Sequence, residues 1–474
     1  MIRGFTLRVQ RNRPGRLFEV TATGRGLTSR AGTGALRVLA DRIGLRAALS
    51  QVCGGHRGRR HDPGSVLRDL VVTLADGGVC FSDIEALRVS AEPGEPVASD
   101  STAWRLVDRL AGDDLIDARL VAADRAARGY VWANGGRPPS VQQVADAGDD
   151  EPVAPVFIDV DATLVNVHSE KQRAAPTYKR GFGFHPFAAW LDRGDGTGEA
   201  LSVMLRPGNA GANSAADHCE LLEGALAGLE GLLPERARLV VRADSAGSSY
   251  EFLGYARQAS VGFAVNVQVS RFRDAVRAAH DSPDTPWQTA VTQDSQERDG
   301  AAVIELTDTV DLSKFPTGAR LIVRREPRHP GAQLTFDDIA GHRFTAFVTD
   351  QDDTDIVELD RIMRAHAHVE DRVRDQKQTG WQRFPSHDYE INSVVVSARA
   401  ARRQPAGLAR RARLGRRRPA APRATRDHPL PAAARRRQDH PPRAPHPPAT
   451  GPRLAVGHPD RRPVPRLWAL PTPA

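Results

Sequence analysis

The order of periodicities along the chain predicts an α/β protein, a mixed sheet with helices, preceded by an all-helical region and carrying an inserted β-rich stretch. Three observations carry this. Apolar residues recur at spacings of three and four through residues 35–133; beyond residue 155 they fall into short β-type runs; and a strand, helix, strand succession then follows.

In the helical region, Asp62-Pro63 is a helix-start signal, and Val66, Leu67, Leu70, Val71 and Leu74 form the apolar stripe behind it. Ser82 and Glu85 have capping-box spacing before a short helix. Ser99-Asp100-Ser101 precedes another, with Ala103, Leu106, Val107 and Leu110 as its buried side. Residues 134–155, rich in Gly, Pro and acid and without period, read as a linker. Then VFIDVDATLV from Val156, HPFAAWL from His185 and EALSVML from Glu199 read as three successive strands of a meander. Helix periodicity returns in Leu221, Leu222, Ala225, Leu226 and Leu229, and RLVVRAD, YEFLGYARQA and GFAVNVQV follow as strand, helix and strand. From 271 to 351 the helical pattern disappears, and AAVIELTDTV, ARLIVRRE and RFTAFVTD read as a β insertion. A long helix is expected over 356–378, with Ile362, Val369 and Val373 along one side. The expected divisions are therefore 1–133, 134–155, 156–270, 271–351, 352–397 and a tail, 398–474.

Charge separates that tail from the rest. The 474 residues carry +8, but the tail alone holds 19 Arg, no Lys, no Glu and three Asp, leaving an acidic body of 47 basic against 55 acidic residues. With 16 Pro and no Ile, Phe or Tyr the tail has no means of building an apolar core and is expected to be disordered. Ile, Lys and Glu vanish together there, which favours translation out of frame over a basic nucleic-acid-binding tail. Three cysteines, Cys53, Cys80 and Cys219, make neither a disulfide framework nor a Cys-rich zinc site and suit a reducing, cytoplasmic setting. No run of about 18 apolar residues or signal-peptide core is present, so secretion and membrane spanning are not expected. His366 and His368, two apart on a helix, do not share a face, and no HExxH spacing exists, so zinc is not expected.

Three acids on three elements form the sharpest constellation: Asp161 in FIDVDATLV, Asp244 at the end of RLVVRAD, and Glu370 in HVEDRVRDQK. Carboxylates so placed suit a two-metal site, because hard cations take oxygen ligands and in-line phosphoryl transfer must stabilise attacking and leaving oxygens. Asp159 lies two residues before Asp161, on the same strand face, and stands as the alternative or additional acid.

These three segments, FIDVDATLV, VVRADSAG and VEDRVRDQK, resemble the catalytic motifs of DDE transposases of bacterial insertion sequences, most closely the insertion-sequence type 1380 family, related to the type 4 group. The resemblance spans approximately residues 32–396. It implies a ribonuclease-H-like core with the β segment inserted before the Glu-bearing helix. The Asp-x-Thr of the first motif falls on Asp161 and Thr163, the second Asp on Asp244, the Glu on Glu370, and a phosphate-directed Lys, seven residues on, on Lys377. The family's Tyr and Arg before that Glu are Met363 and His366 here, with Arg364 nearby. The resemblance further implies two Mg²⁺ ions, with Mn²⁺ as a substitute, double-stranded DNA partners (terminal inverted repeats and target), a homodimer on DNA, and a bacterial, nucleoid-associated protein. The rival expectations are a frame-damaged remnant that only binds DNA, and a metal-dependent nuclease without strand transfer.

For DNA contacts, Arg105 and Arg109 share the face of their helix opposite Leu106 and Leu110, with Trp104 alongside, as a major-groove helix presents them. Lys171, Arg173, Lys179 and Arg180 lie in a loop after the first acid-bearing strand, and Arg324, Arg325 and Arg328 form a third, weaker patch.

Overall fold

In the computed structural model of the chain, residues 6–8, 19–21, 31–54, 61–89, 96–167, 170–328, 331, 333 and 338–401 are described. The meander is as expected. Strand β1 (Val156–Ala162) pairs antiparallel with β2 (Phe187–Asp192), and β2 with β3 (Gly198–Met204). Helix α7 (Ala215–Ala227), capped by the Ser214 hydroxyl, leads to β4 (Leu239–Ala243), which lies parallel to β1; helix α8 (Tyr250–Gln258) then returns the chain to β5 (Val261–Val267), parallel to β4. Their near-continuous Val, Phe and Ala content is what strands covered on both faces require.

The stretch expected as a β insertion does not form a sheet of its own. Its strands β6 (Gln288–Val291), β7 (Glu297–Glu305), β8 (Arg320–Pro327), β9 (Asp338–Ile339) and β10 (His342–Thr349) extend the same ten-stranded sheet, in the order β6-β7-β8-β10-β5-β4-β1-β2-β3, with β9 on β10. Pairing of Ala264 with Thr349 joins the two parts and closes the hydrogen-bonding edge that β5 would otherwise expose. A helix also stands where none was expected: α9 (Arg273–Asp281) has Val276 as its buried residue, so its period was hidden among Arg, Asp and His.

Before the sheet come α1 (Ala31–Arg42), α2 (Leu45–Val52), α3 (Pro63–Ala75), α4 (Asp100–Ala111) and α5 (Ile116–Val131). Asp62 caps α3 by accepting from the Ser65 N–H, and Ser99 caps α4 by accepting from that of Thr102, as the sequence signals require. The segment read as a linker contains helix α6 (Pro139–Asp146), started by Pro139 and held by buried Val141 and Val144. Two apolar positions are too few to announce a period. Ser140 fastens α6 to the end of β2 through the carbonyls of Arg193 and Asp192.

The long helix expected over 356–378 is two. Helix α10 (Ile356–Ala365) and helix α11 (His368–Gln376) are broken at His366 and Ala367, and a wider turn, Lys377–Trp381, follows. Val369 and Val373 are buried as expected, whereas Ile362 is only half-buried. A last helix, α12 (Tyr389–Ala401), was not foreseen; Ile391, Val394 and Val395 pack into one apolar core with α2, α3, α4 and α5. Helix α12 runs to Ala401, so residues 398–401 of the expected tail continue it. The rest of the tail, 402–474, lies outside the described residues.

Helices α2 and α3 touch at Gly64, where a methyl group would sit 2.6 Å from the Arg46 carbonyl oxygen and 2.5 Å from the Ser50 nitrogen. These are backbone atoms that cannot step aside, so Gly64→Ala is expected to cost about 1–3 kcal/mol, read as a lowered Tm. No described helix is long and apolar enough to cross a membrane.

Candidate active site

Asp161 and Asp244 stand side by side because β1 and β4 are parallel and in register. Val160 faces Ala243, and each acid is the next residue at the carboxyl end of its strand, the edge where open α/β sheets place their reacting groups. Asp244 is exposed and accepts from the Ala246 N–H at 2.9 Å; Asp161 is half-buried. Burial pushes the Asp161 carboxyl up to about 6, Asp244 adds to this and Glu370 adds more, against the opposing effects of His366 and the Ala162 backbone. Glu370 itself is exposed, in the first turn of α11. Thr163 is buried behind Asp161, its N–H donating to the Pro186 carbonyl at 2.9 Å.

Among the described residues, no three His, Cys, Asp or Glu side chains converge closely enough to hold a metal ion. What is shown is three carboxylates from three separate elements, with Asp161 and Asp244 on adjacent strands and both Asp244 and Glu370 acting on Asp161. Hard oxygen donors that repel one another suit a divalent cation, which removes the repulsion by binding.

Asp159 is in a different position. It is fully buried, and its two oxygens receive four donors: Oδ1 from Arg242 Nε at 2.7 Å and His366 Nδ1 at 2.8 Å, Oδ2 from Arg242 Nη2 at 2.8 Å and from Arg372. Burial alone would raise this carboxyl, but Arg242, Arg372 and His366 outweigh it and hold the group below the usual carboxylate range. A carboxylate offers about four lone-pair sites, so none is left for a cation. The alternative of Asp159 as a metal ligand thus meets a group already saturated.

Lys377 ends α11 on the side that carries Glu370. Burial lowers its ammonium, the charge of Asp161 raises it and that of Lys179 lowers it again, so these three groups share one neighbourhood. Lys179 belongs to a hairpin in a small sheet formed by Val165–Asn166, Ala175–Pro176 and Phe182–Phe184. The four cations of that loop divide. Lys171 donates to the Ser386 carbonyl at 2.7 Å, and Arg173 lies over the Tyr389 ring at 4.5 Å and pairs with Glu390, so these two tie the loop to the start of α12. Lys179 and Arg180 are exposed, beside Tyr178, which is 69% exposed. Arg105 and Arg109 occupy the solvent face of α4 with Trp104, on a different element from the acids. Arg364 has a buried Nη1 without a hydrogen-bond partner. Arg324 pairs with Asp360 and Glu326, and Arg325 lies over Trp287, so that patch is largely neutralised within the fold; Arg328 is half-buried.

If Lys377 contacts a DNA phosphate, as the motif resemblance implies, Lys377→Ala should weaken DNA binding about equally for all sequences and lower the slope of log affinity against log salt by about one. Binding measured between low and physiological salt checks this.

Sequence reasoning missed Arg242 and Arg372, placed His366 only as the residue at the family's Arg position without its bond to Asp159, and missed the buried residues beside Asp244: His185, Arg206 and His218. Arg206 Nη1 pairs with Asp217 at 2.7 Å, and the His218 ring is wedged between Phe187 and Phe252. Burial lowers both histidines, with Asp244 among the groups that raise them. A usable signal existed at Arg242, a cation in the middle of the apolar run RLVVRAD, since such a residue must find a buried partner.

A family model described as the transposase DDE domain, group 1, matches residues 11–401 of the chain. No curated protein matches it significantly. Among solved structures, the chain is similar to piggyBac transposase in a synaptic complex with hairpin DNA, with 10% sequence identity and a TM-score of 0.37 over 80% of this chain and 76% of that one.

Proposed function

The chain belongs to the DDE-domain transposases of group 1, and from that premise we propose that it cleaves DNA at the ends of an insertion sequence and joins them to a target, as a member of the type 1380 family. The observation that carries this reading is the parallel register of β1 and β4, which sets Asp161 beside Asp244 at the carboxyl ends of adjacent strands, with Glu370 following in family order on α11. A ribonuclease-H-like core is supported by the strand order β3-β2-β1-β4-β5, with β2 antiparallel to β1 and β4 and β5 parallel to it.

Asp161, Asp244 and Glu370 would hold two Mg²⁺ ions, or Mn²⁺ in their place, which when bound neutralise phosphate charge and activate water and then a 3′ hydroxyl as nucleophiles. Lys377, with Lys179 beside it, binds the phosphate next to the acids, and Arg364 offers a further donor. The exposed face of α4, with Arg105 and Arg109, reads the terminal repeat, and Arg180 grips flanking backbone. The DNA-bound form is a homodimer on paired ends. The rival reading, a frame-damaged remnant that binds the ends without cutting them, rests on the composition of residues 398–474.

The test is cleavage and strand transfer with Mg²⁺ on DNA bearing the element's own ends, given a target and comparing Asp244→Ala. Joined product from the parent chain and none from the variant is expected. End-specific binding without cleavage in the parent would overturn the reading in favour of a remnant, and cleavage without joining would favour a nuclease.

A further inference from the structure

The buried cluster around Asp159 has a regular relation to the acids. Asp159 precedes Asp161 by two residues on β1, Arg242 precedes Asp244 by two on β4, and Arg372 follows Glu370 by two on α11. Asp159, Arg242 and Arg372 are each 2% exposed or less, and Asp192 joins them by accepting from Arg242 and forming an ion pair with Arg372. Two guanidinium groups against two carboxylates make the cluster neutral without His366, the condition under which charges tolerate burial.

Its reach extends to both helices that follow the sheet. Arg242 Nη1 donates to the Ile362 carbonyl of α10 at 2.9 Å, His366 bonds Asp159 from the break between helices, and Arg372 bonds it from α11. On α11 the buried stripe of Val369 and Val373 separates the Arg372 side from the side bearing Glu370 and Lys377, so the line from Arg372 to Asp159 sets the rotation of the helix. The path of Arg372 is itself shaped: a methyl group at Gly198 of β3 would fall 2.6 Å from Arg372 Nε.

Resting on the site reading above, we infer that Asp159 is a positioning residue and not a metal ligand: with Arg242 and Arg372 it latches the Glu370 helix to the two acid-bearing strands. Loss of the latch leaves all three acids in the chain but lets the third drift, and misplacement by about 1 Å costs about 100-fold in rate.

The experiment compares the full chain with Asp159→Asn, Arg372→Lys and Asp161→Asn, reading Mn²⁺ binding by paramagnetic resonance, end cleavage, and hydrogen exchange over residues 368–376. Asp159→Asn is expected to cleave about 100-fold more slowly, with faster exchange in α11 and Mn²⁺ affinity lowered less than about tenfold, while Asp161→Asn loses Mn²⁺ at normal exchange. Arg372→Lys keeps the charge and serves where Asp159→Asn fails to fold; slower cleavage and faster exchange with Mn²⁺ still bound support the latch. Loss of Mn²⁺ in Asp159→Asn as complete as in Asp161→Asn, with α11 exchanging as in the parent, would overturn it, as would parental cleavage and exchange in Arg372→Lys. Parental Mn²⁺ binding in Asp161→Asn would overturn the site reading itself, and the latch with it.

Discussion

Asp161→Asn should abolish strand cleavage, by at least about a thousandfold, while the metal-free variant melts higher than the parent. The two effects share one cause. Burial and the neighbouring Asp244 push the Asp161 carboxyl up to about 6 from an ordinary 3.8, so the folded state favours its protonated form. A folded-state value above the unfolded one contributes stability that is complete below the unfolded value and is lost as pH rises through the folded one. The metal-free parent should therefore lose about 2 kcal/mol between pH about 4 and about 6, a loss that recurs as a Tm lower by a few degrees at neutral pH. Asparagine carries no charge at any of these pH values, so the loss should vanish in the variant and Mg²⁺ should stabilise the parent more than the variant. Melting curves across that range, with and without Mg²⁺, check the claim; identical pH profiles for the two proteins would refute it.

How much of this was legible beforehand depended on the physical signal at each element. Strands β1, β4 and β5 announce themselves because short apolar runs with β-branched residues leave few alternatives to buried strands. Helix α9 did not, since one buried residue, Val276, makes no stripe, and α12 was masked by the Ala and Arg that follow Val396. The fusion of the supposed insertion with the main sheet was illegible because strand pairing between β5 and β10 joins residues about eighty positions apart, and periodicity records only neighbours. At the site, alternation puts Asp159 and Asp161 on one face and has no power to rank them. Only the partners separate them, and two of those partners, His366 and Arg372, arrive from more than two hundred residues downstream.

The second large effect concerns how the N-terminal helices are held. Arg128 of α5 is fully buried, and its guanidinium donates to the Gly228 and Ala200 carbonyls, both at 2.8 Å, and to Glu199 and Asp124. Glu199 also accepts from the Trp132 indole N–H at 3.2 Å, so one cluster joins α5, β3 and the end of α7. Arg128→Met keeps the length and removes the charge, leaving buried carboxylates and carbonyls with fewer donors, and should cost about 3–5 kcal/mol. An unfolding free energy from denaturant titration lowered by less than about 1 kcal/mol would refute this. The consequence reaches function because α12 lies between α4, α5 and the sheet, with Val394 and Val395 in the shared core. A fragment beginning at residue 134 would expose that helix, and is expected to aggregate where the full chain stays monodisperse. On the proposed function, α4, which carries Arg105 and Arg109 and is joined to the acid-bearing sheet through α12, would give the DNA a fixed span from its recognised bases to its cleaved phosphate. That rigidity is what a cut at a defined distance from a recognised end demands, and Arg128→Met should therefore blur the position of cleavage before it abolishes binding, an outcome that sequencing of the cleaved ends resolves.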